Sequence, residues 1–301
     1  MSAIVSILLG VAEEGLVYAI MALGVYITYK ILDFPDLSVD GTFPLGGAVT
    51  VALIVAGVGP VWALFISFAA GALAGAVTGI IHVKMKIRDL LAGIIVMTAL
   101  YSINLRIAGK ANVPIFSKET IFENAFLERF VPEAVQPYIT LILLCLIVIL
   151  MKSLLDLYLL TKSGYLLRAV GDNATLITSL AKDKGIVKII GLAIANAFVA
   201  LAGSIFTQKS GFFEISTGTG TMVIGLASVV IGTNLMKKVT WVRTTSAVVL
   251  GSVLYKLCVA VAISMGMEAS DLKLITAVLF LIILFASNER KRKVKINDRT
   301  A

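Results

Sequence analysis

The chain has 301 residues, of which 59% are hydrophobic and 15% are charged, and its net charge is +8. Its mean hydropathy is +1.00, whereas a soluble domain of ordinary composition carries about 25% charged residues. A single core of this size cannot bury so much apolar surface away from water. The composition therefore excludes a water-soluble fold and predicts one polytopic membrane domain over residues 1–301.

Nine apolar stretches have a length and composition typical of membrane-crossing helices. In chain order they cover residues 4–29, 42–58, 61–81, 90–107, 137–158, 187–206, 221–235, 244–265 and 272–287. The sequence therefore predicts an all-α membrane protein with about nine transmembrane helices, in a range of about eight to ten.

Lysine and arginine are distributed unevenly over the loops between these stretches. If alternate loops face the same side, 18 of the 26 basic residues lie on one side, including six between Arg290 and Arg299. Lys152 and Lys256 fall inside apolar stretches. The positive-inside rule then predicts an external N-terminus and a cytoplasmic C-terminus. We expect the basic tail 288–301 to lie against anionic lipid rather than nucleic acid.

The reactive residues give no sign of a catalytic or metal centre. The chain has one histidine, His82, and two cysteines, Cys145 and Cys258, each cysteine inside a hydrophobic run. Metal and haem sites draw mainly on clusters of these residue types. The sequence also contains no G-x-x-x-x-G-K-[ST] loop. We therefore expect no catalytic residue, no metal and no cofactor in this chain.

Two short apolar stretches are entered through segments rich in Gly, Thr, Ser and acidic residues, 33–47 and 214–221. Paired interruptions of this kind are typical of discontinuous helices in transporters built from two inverted halves. The alternative is a pair of ordinary loops capped by Asp40 and Thr219. The prolines and aspartates of 33–47 favour the discontinuous helix there, while both interpretations stay open for 214–221. The candidate residues of a solute pathway are Asp36, Ser38, Asp40, Thr42, Thr217 and Thr219.

The solute class follows from the charges near this first segment. A half-helix that begins near Asp40 would aim its positive end at an anionic group such as a solute carboxylate. The three nearby aspartates would repel that carboxylate unless they cap the helix or meet an amine. An amino acid carries both charges and is the solute we expect, with a sugar or nucleoside second.

Gly71, Gly75 and Gly79 form a doubled G-x-x-x-G pattern on one helix face. Such a face lets a neighbouring backbone approach closely. We expect it to pack within the subunit, with a dimer interface as the alternative.

Two long loops between the apolar stretches are candidate contact sites for partner proteins. The extracytoplasmic loop 108–136 is either a solvated cap with a short amphipathic helix or a docking surface for an external partner. In the cytoplasmic loop 159–186, Asp172 or Asn173 is a good N-cap, residues 174–184 can form a short helix, and Gly185 is a natural C′ residue. Leu176 and Leu180 give this helix an apolar stripe, which suits a groove on another protein or, alternatively, the lipid interface.

Four motifs in order resemble one family of membrane proteins. They are the stretch 15–24 (GLVYAIMALG), residues 36–39 (DLSV) with the pair Gly46-Gly47, the loop from 168–173 (RAVGDN) to Gly185-Ile186, and the stretch 225–232 (GLASVVIG). They are similar to ABC importer permeases of the branched-chain amino acid and ribose class. The string 31–41 (ILDFPDLSVDG) most resembles a branch associated with aromatic amino-acid uptake.

This resemblance implies a permease subunit that forms a translocation pathway in a bacterial cell membrane. It implies a second copy of the chain as homodimer partner, two ABC ATPase subunits that bind ATP and Mg²⁺, and an extracytoplasmic solute-binding protein. It also implies that Gly171, Asp172, Asn173, Leu176, Leu180 and Gly185 couple the permease to the ATPase. The alternative is an ion-coupled secondary transporter, in which Glu13 and Glu14 of the first stretch would serve an ion site.

Overall fold

The computed structural model describes residues 3–124, 135–172, 183–236 and 242–264, with a few further positions in 127–132 and 271–285. Its helices are α1 (Ala3–Val25, continued by a π-helical turn Tyr26–Ile31), α2 (Val39–Val55), α3 (Pro60–Lys84), α4 (Asp89–Ala108), α5 (Ile139–Leu159), α6 (Lys162–Asp172), α7 (Lys184–Ser210), α8 (Thr221–Leu235) and α9 (Thr244–Ser264). Two strands, β1 (Asn112–Pro114) and β2 (Phe212–Glu214), form an antiparallel pair. The described part of the chain is therefore all-α apart from this pair.

Helix α7 is the centre of the bundle, with α1, α2 and α3 packed around it. In the most apolar 18-residue stretch of α7, 72% of the residues are buried, a larger share than in any other spanning helix of the described residues. Helices α8 and α9 pack on each other and on the opposite side of α1. The outward faces carry exposed apolar side chains, such as Trp62, Phe65 and Leu73 of α3. These faces suit contact with lipid tails, which are equally apolar.

Eight of the nine predicted spans coincide with helices of the structure, namely α1 to α5 and α7 to α9. Seven helices in the described part of the chain are long and apolar enough to cross a membrane, and α2 is a shorter apolar helix. Half of the positions in the ninth predicted span, 272–287, lie outside the described residues, and the described ones are helical. The multi-pass architecture is therefore confirmed, while the count of nine helices and the orientation of the termini stay predictions.

The glycine pattern of α3 packs within the subunit, as expected. A Cβ at Gly75 would overlap the carbonyl oxygen of Leu192, and a Cβ at Gly79 would lie 2.8 Å from Cα of Ile189. Gly71 meets the same helix, α7, one turn further along. The three glycines thus let α3 lie close against α7, which leaves that face unavailable for a dimer interface.

The loops differ from their prediction in two places. Part of the loop 108–136, predicted to be extracytoplasmic, forms β1, which is joined to β2 through the pairs Asn112–Glu214 and Pro114–Phe212. The loop 159–186, predicted to be cytoplasmic, contains helix α6 (Lys162–Asp172). The sequence prediction missed both elements.

Candidate functional site

The N-termini of α2 and α8 meet at the side chain of Asp40. This residue lies in the first turn of α2, and its carboxylate accepts hydrogen bonds from the backbone N–H groups of Gly220 (2.9 Å) and Met222 (2.7 Å) and from the hydroxyl of Thr221 (3.0 Å). Gly220 has a φ of 87°, a left-handed conformation that favours glycine. Asp40 therefore caps the positive end of α8 from a different helix.

This junction lies inside the bundle rather than at its end. The hydroxyl of Ser38, directly before α2, donates to Oδ1 of Asn196 (3.3 Å). Nδ2 of Asn196 donates to Oδ2 of Asp36 (2.8 Å). Asn196 is close to the midpoint of α7, whose 27 residues extend over about 40 Å. Helices α2 and α8 both begin about halfway through the bundle.

The two short helices leave the junction in opposite directions. Helix α2 runs parallel to α7, with Ser38 beside Asn196 and Thr50 beside Ser204. Helices α7 and α9 are both antiparallel to α1. Helix α8 is antiparallel to α9, so it runs parallel to α1 and opposite to α2 and α7. Two discontinuous helices in inverted halves would have this arrangement. The inverted halves themselves stay a prediction.

Two cavities flank the segment between β2 and α8. The first, which we call the α4 cavity, has a volume of about 430 Å³ and is lined by α2, α4 and this segment, including Asp40, Tyr101, Asn104 and Thr219. The second, the α9 cavity, has a volume of about 360 Å³ and is lined by α1, α8, α9, the same segment and the positions 276 and 277, including Tyr18, Ser216, Thr217, Thr219, Tyr255 and Lys256. Both volumes are typical of small-molecule sites.

Charged side chains of α1 form two ion pairs that the sequence did not predict. Glu14 lies 3.0 Å from Nζ of Lys256, and Nζ also lies 4.1 Å from the ring centre of Tyr18. Glu13 lies 3.1 Å from Nζ of Lys209. The presence of these charges in apolar stretches was the available signal, because intramembrane charges tend to be paired. An ion site built from Glu13 and Glu14 would have to compete with both lysines.

The six predicted pathway residues fall into two groups. Asp40, Thr217 and Thr219 line one or both of the cavities. Asp36, Ser38 and Thr42 are buried in helix packing and are absent from the lining of either cavity. The hydroxyl of Thr42 donates to the carbonyl of Ser38 within α2. The polar atoms of Asp36, Ser38 and Thr42 hold the start of α2 in place here, and their role as lining groups of a pathway stays a prediction.

The predicted coupling helix lies mostly outside the described residues, including Asn173, Leu176 and Leu180. Asp172 is the last described residue of α6, and the N-cap expected at Asp172 or Asn173 stays a prediction because the residues after it lie outside the described part of the chain. The predicted C-terminal end differs from the structure. Gly185 lies in the first turn of α7, where its N–H donates to the carboxylate of Asp183 (2.7 Å), so it is not a C′ residue. Gly171 packs against the carbonyl of Ile31 at the end of the π-helical turn.

A multi-pass helical bundle with two short helices that meet at an internal cap, and with cavities of small-molecule size beside that cap, has the architecture of a membrane transport protein with discontinuous helices. Residues 7–287 match the family described as branched-chain amino acid transport system / permease component. The chain belongs to this family. It is a transport subunit, and its task is to move a solute rather than to transform it.

Two relatives cover nearly the whole chain. The Tyrosine transport system permease protein of Clostridioides difficile (strain R20291) is 44% identical over 288 residues, which is 96% of this chain and 92% of that protein. The Uncharacterized protein RP368 of Rickettsia prowazekii (strain Madrid E) is 29% identical over 283 residues, which is 93% of this chain and 97% of that protein. No solved structure matches the chain.

Proposed function

We propose that the chain is the permease subunit of an ATP-driven importer for an aromatic amino acid such as tyrosine. The observation that carries this proposal is the internal junction at Asp40, with a cavity of small-molecule size on either side. The solute is inferred from the name of the 44% identical relative. A cavity lined by two tyrosines and by Lys256, whose ammonium is paired with Glu14 beside the cavity, fits a zwitterion with an aromatic side chain.

The junction explains how the pathway would change its access. Helices α2 and α8 share one capping carboxylate, so a movement of one helix is transmitted to the other through hydrogen bonds of 2.7–3.0 Å. Thr217 and Thr219 belong to the segment that separates the two cavities. A shift of this segment would open one cavity while it closes the other, which is the alternating access of such bundles.

The partners are proposed from the role of a permease in a transport system. Two copies of the chain would form the complete pathway, two ABC ATPase subunits would bind ATP and Mg²⁺, and an external binding protein would deliver the solute. The segment 173–184 would contact the ATPase through Leu176 and Leu180. The cytoplasmic location of this segment and of the tail 288–301 is part of the proposal.

The proposal is tested by purification of the chain with a co-expressed ABC ATPase of the same transport system. We expect the two subunits to stay associated in detergent. We also expect ATP hydrolysis by this complex to rise when the solute-binding protein and L-tyrosine are added together. Failure of the ATPase to associate, together with tyrosine uptake that follows a sodium or proton gradient, would contradict the proposal and support a secondary transporter.

A further inference from the structure

The α9 cavity lies beside an unusual pair of charges for a membrane-spanning region, of which Lys256 lines the cavity and Glu14 does not. Lys256 lies in the middle of α9, and its side chain is only 14% exposed. Its partner Glu14 lies in α1, and its side chain is 49% exposed. The hydroxyl of Ser252 donates to the carbonyl of Gly15 (2.8 Å), so α1 and α9 touch at this level. The pair therefore connects two neighbouring helices near their closest approach.

A half-exposed carboxylate at this depth is costly against lipid tails. Charged groups within membrane spans usually face the interior of the bundle or a water-filled cavity. Lys256 lines the α9 cavity, and Glu14 binds Lys256 directly. Glu14 is absent from the cavity lining, so a solute in the cavity would reach its carboxylate next to the Lys256 ammonium.

The remaining walls of the cavity supply aromatic and hydroxyl groups. Tyr18 and Tyr255 form one side, Val223 and Ile224 add apolar surface, and Thr217 and Ser216 come from the segment before α8. The Lys256 ammonium lies over the face of the Tyr18 ring in a cation–π contact. A planar aromatic ring can pack among these groups while its polar end stays beside the charges.

We propose that the α9 cavity binds the permeating solute as a zwitterionic aromatic amino acid, with its carboxylate on Lys256 and its ammonium on Glu14. The proposal rests on the proposed function and adds the binding residues to it. A solute with only a negative charge would be repelled by Glu14, and one with only a positive charge would be repelled by Lys256. Opposite charges 3.0 Å apart therefore select a molecule that carries both.

The test measures protection of a cysteine placed in the cavity. Thr217→Cys is introduced into a chain from which Cys145 and Cys258 have been removed by substitution with alanine, and the chain is purified with its ATPase. The rate of alkylation by a small water-soluble reagent is then measured against increasing L-tyrosine. We expect L-tyrosine to slow alkylation. Tyramine and 3-(4-hydroxyphenyl)propionate, which each lack one charge, should not slow it at the same concentrations.

Variants of Lys256 and Glu14 then test which side chain binds which charged group of the solute. We expect Lys256→Met and Glu14→Gln each to raise the half-protecting concentration of L-tyrosine by about tenfold or more, because each leaves one solute charge without a partner. Lys256→Arg should keep most of the protection. The matched control is Glu13→Gln, which alters the neighbouring ion pair with Lys209 that is absent from the lining of the α9 cavity.

The outcomes separate this inference from the proposed function. No protection by L-tyrosine in the parent, or equal protection in the parent, Lys256→Met and Glu14→Gln, would overturn the inference, even if ATP-driven tyrosine uptake persists. Equal protection by tyramine would overturn it as well, without any charge variant. Loss of ATP-driven uptake for every aromatic amino acid in the parent would instead contradict the proposed function.

Discussion

Substitution of Asp40 by asparagine tests whether the two short helices depend on one shared cap. The carboxylate accepts three hydrogen bonds from α8, two of them from backbone N–H groups of Gly220 and Met222. An asparagine side chain has nearly the same shape but one accepting oxygen. Its amide nitrogen would face an N–H donor, and at least one hydrogen bond would be lost together with the favourable charge at the helix N-terminus.

The expected loss of stability follows from these bonds. A hydrogen bond to a charged group contributes about 1.5–3 kcal/mol, and the charge at the helix end adds about 0.3–1 kcal/mol. Because Asp40 is half-buried, water can replace part of the lost contact. We therefore expect Asp40→Asn to reduce the free energy of unfolding by about 2 kcal/mol, equal to a decrease of about 3 °C in Tm for a chain of this size.

The assay is thermal unfolding of the purified chain in one detergent. The control is Asp33→Asn, which removes the same charge from an exposed residue with a φ of 51°, a conformation that asparagine adopts readily. We expect the control to unfold at the parent temperature. A parent-like Tm for Asp40→Asn would refute the shared cap, and an equal decrease in both variants would attribute the effect to net charge.

Three further predictions concern other parts of the molecule. Gly75→Leu should prevent α3 from packing on α7 and greatly reduce the yield of folded protein. Gly10→Leu is the control and should leave the yield unchanged, because no neighbouring atom lies within 4 Å of the Cβ position at Gly10. Fluorescence-detected size exclusion compares the yields of the two variants. Leu176→Asp combined with Leu180→Asp should abolish association with the ATPase in pull-downs, because charge in an apolar groove is costly to desolvate, and normal association would place this segment at the lipid instead. The chain purified without partners should hydrolyse no ATP above a mock preparation, since it lacks a phosphate-binding loop of the Walker type.

Local sequence patterns predicted the elements well because helix periodicity and helix ends are local properties. The start of α8 at Thr221 and the discontinuity before α2 at Val39 both lie where Gly, Thr and acidic residues interrupt an apolar stretch. The spacing of Gly71, Gly75 and Gly79 predicted close packing on one face. The bounds of a helix and the face by which it packs follow from the residue types that recur at a fixed spacing along the sequence.

Partners distant in the chain could not be predicted, because the choice among polar groups depends on tertiary packing. Asp40 was expected to cap its own helix or to line the solute pathway. Its carboxylate instead accepts hydrogen bonds from residues about 180 positions away. Glu14 and Lys256 are separated by 242 positions. Asp36 was expected in the pathway, and Asn196 holds it inside the bundle. None of these pairings leaves a periodic signal in a single sequence.

The proposed ATP-driven import of an aromatic amino acid is tested by uptake of radiolabelled L-tyrosine into liposomes that contain the chain and its ATPase, with the solute-binding protein outside and the ATPase domains accessible to ATP inside. ATP-driven import predicts uptake that requires both ATP and the binding protein, and that is unchanged when sodium and proton gradients are removed. Uptake by the chain alone, driven by either gradient and indifferent to ATP, would contradict it.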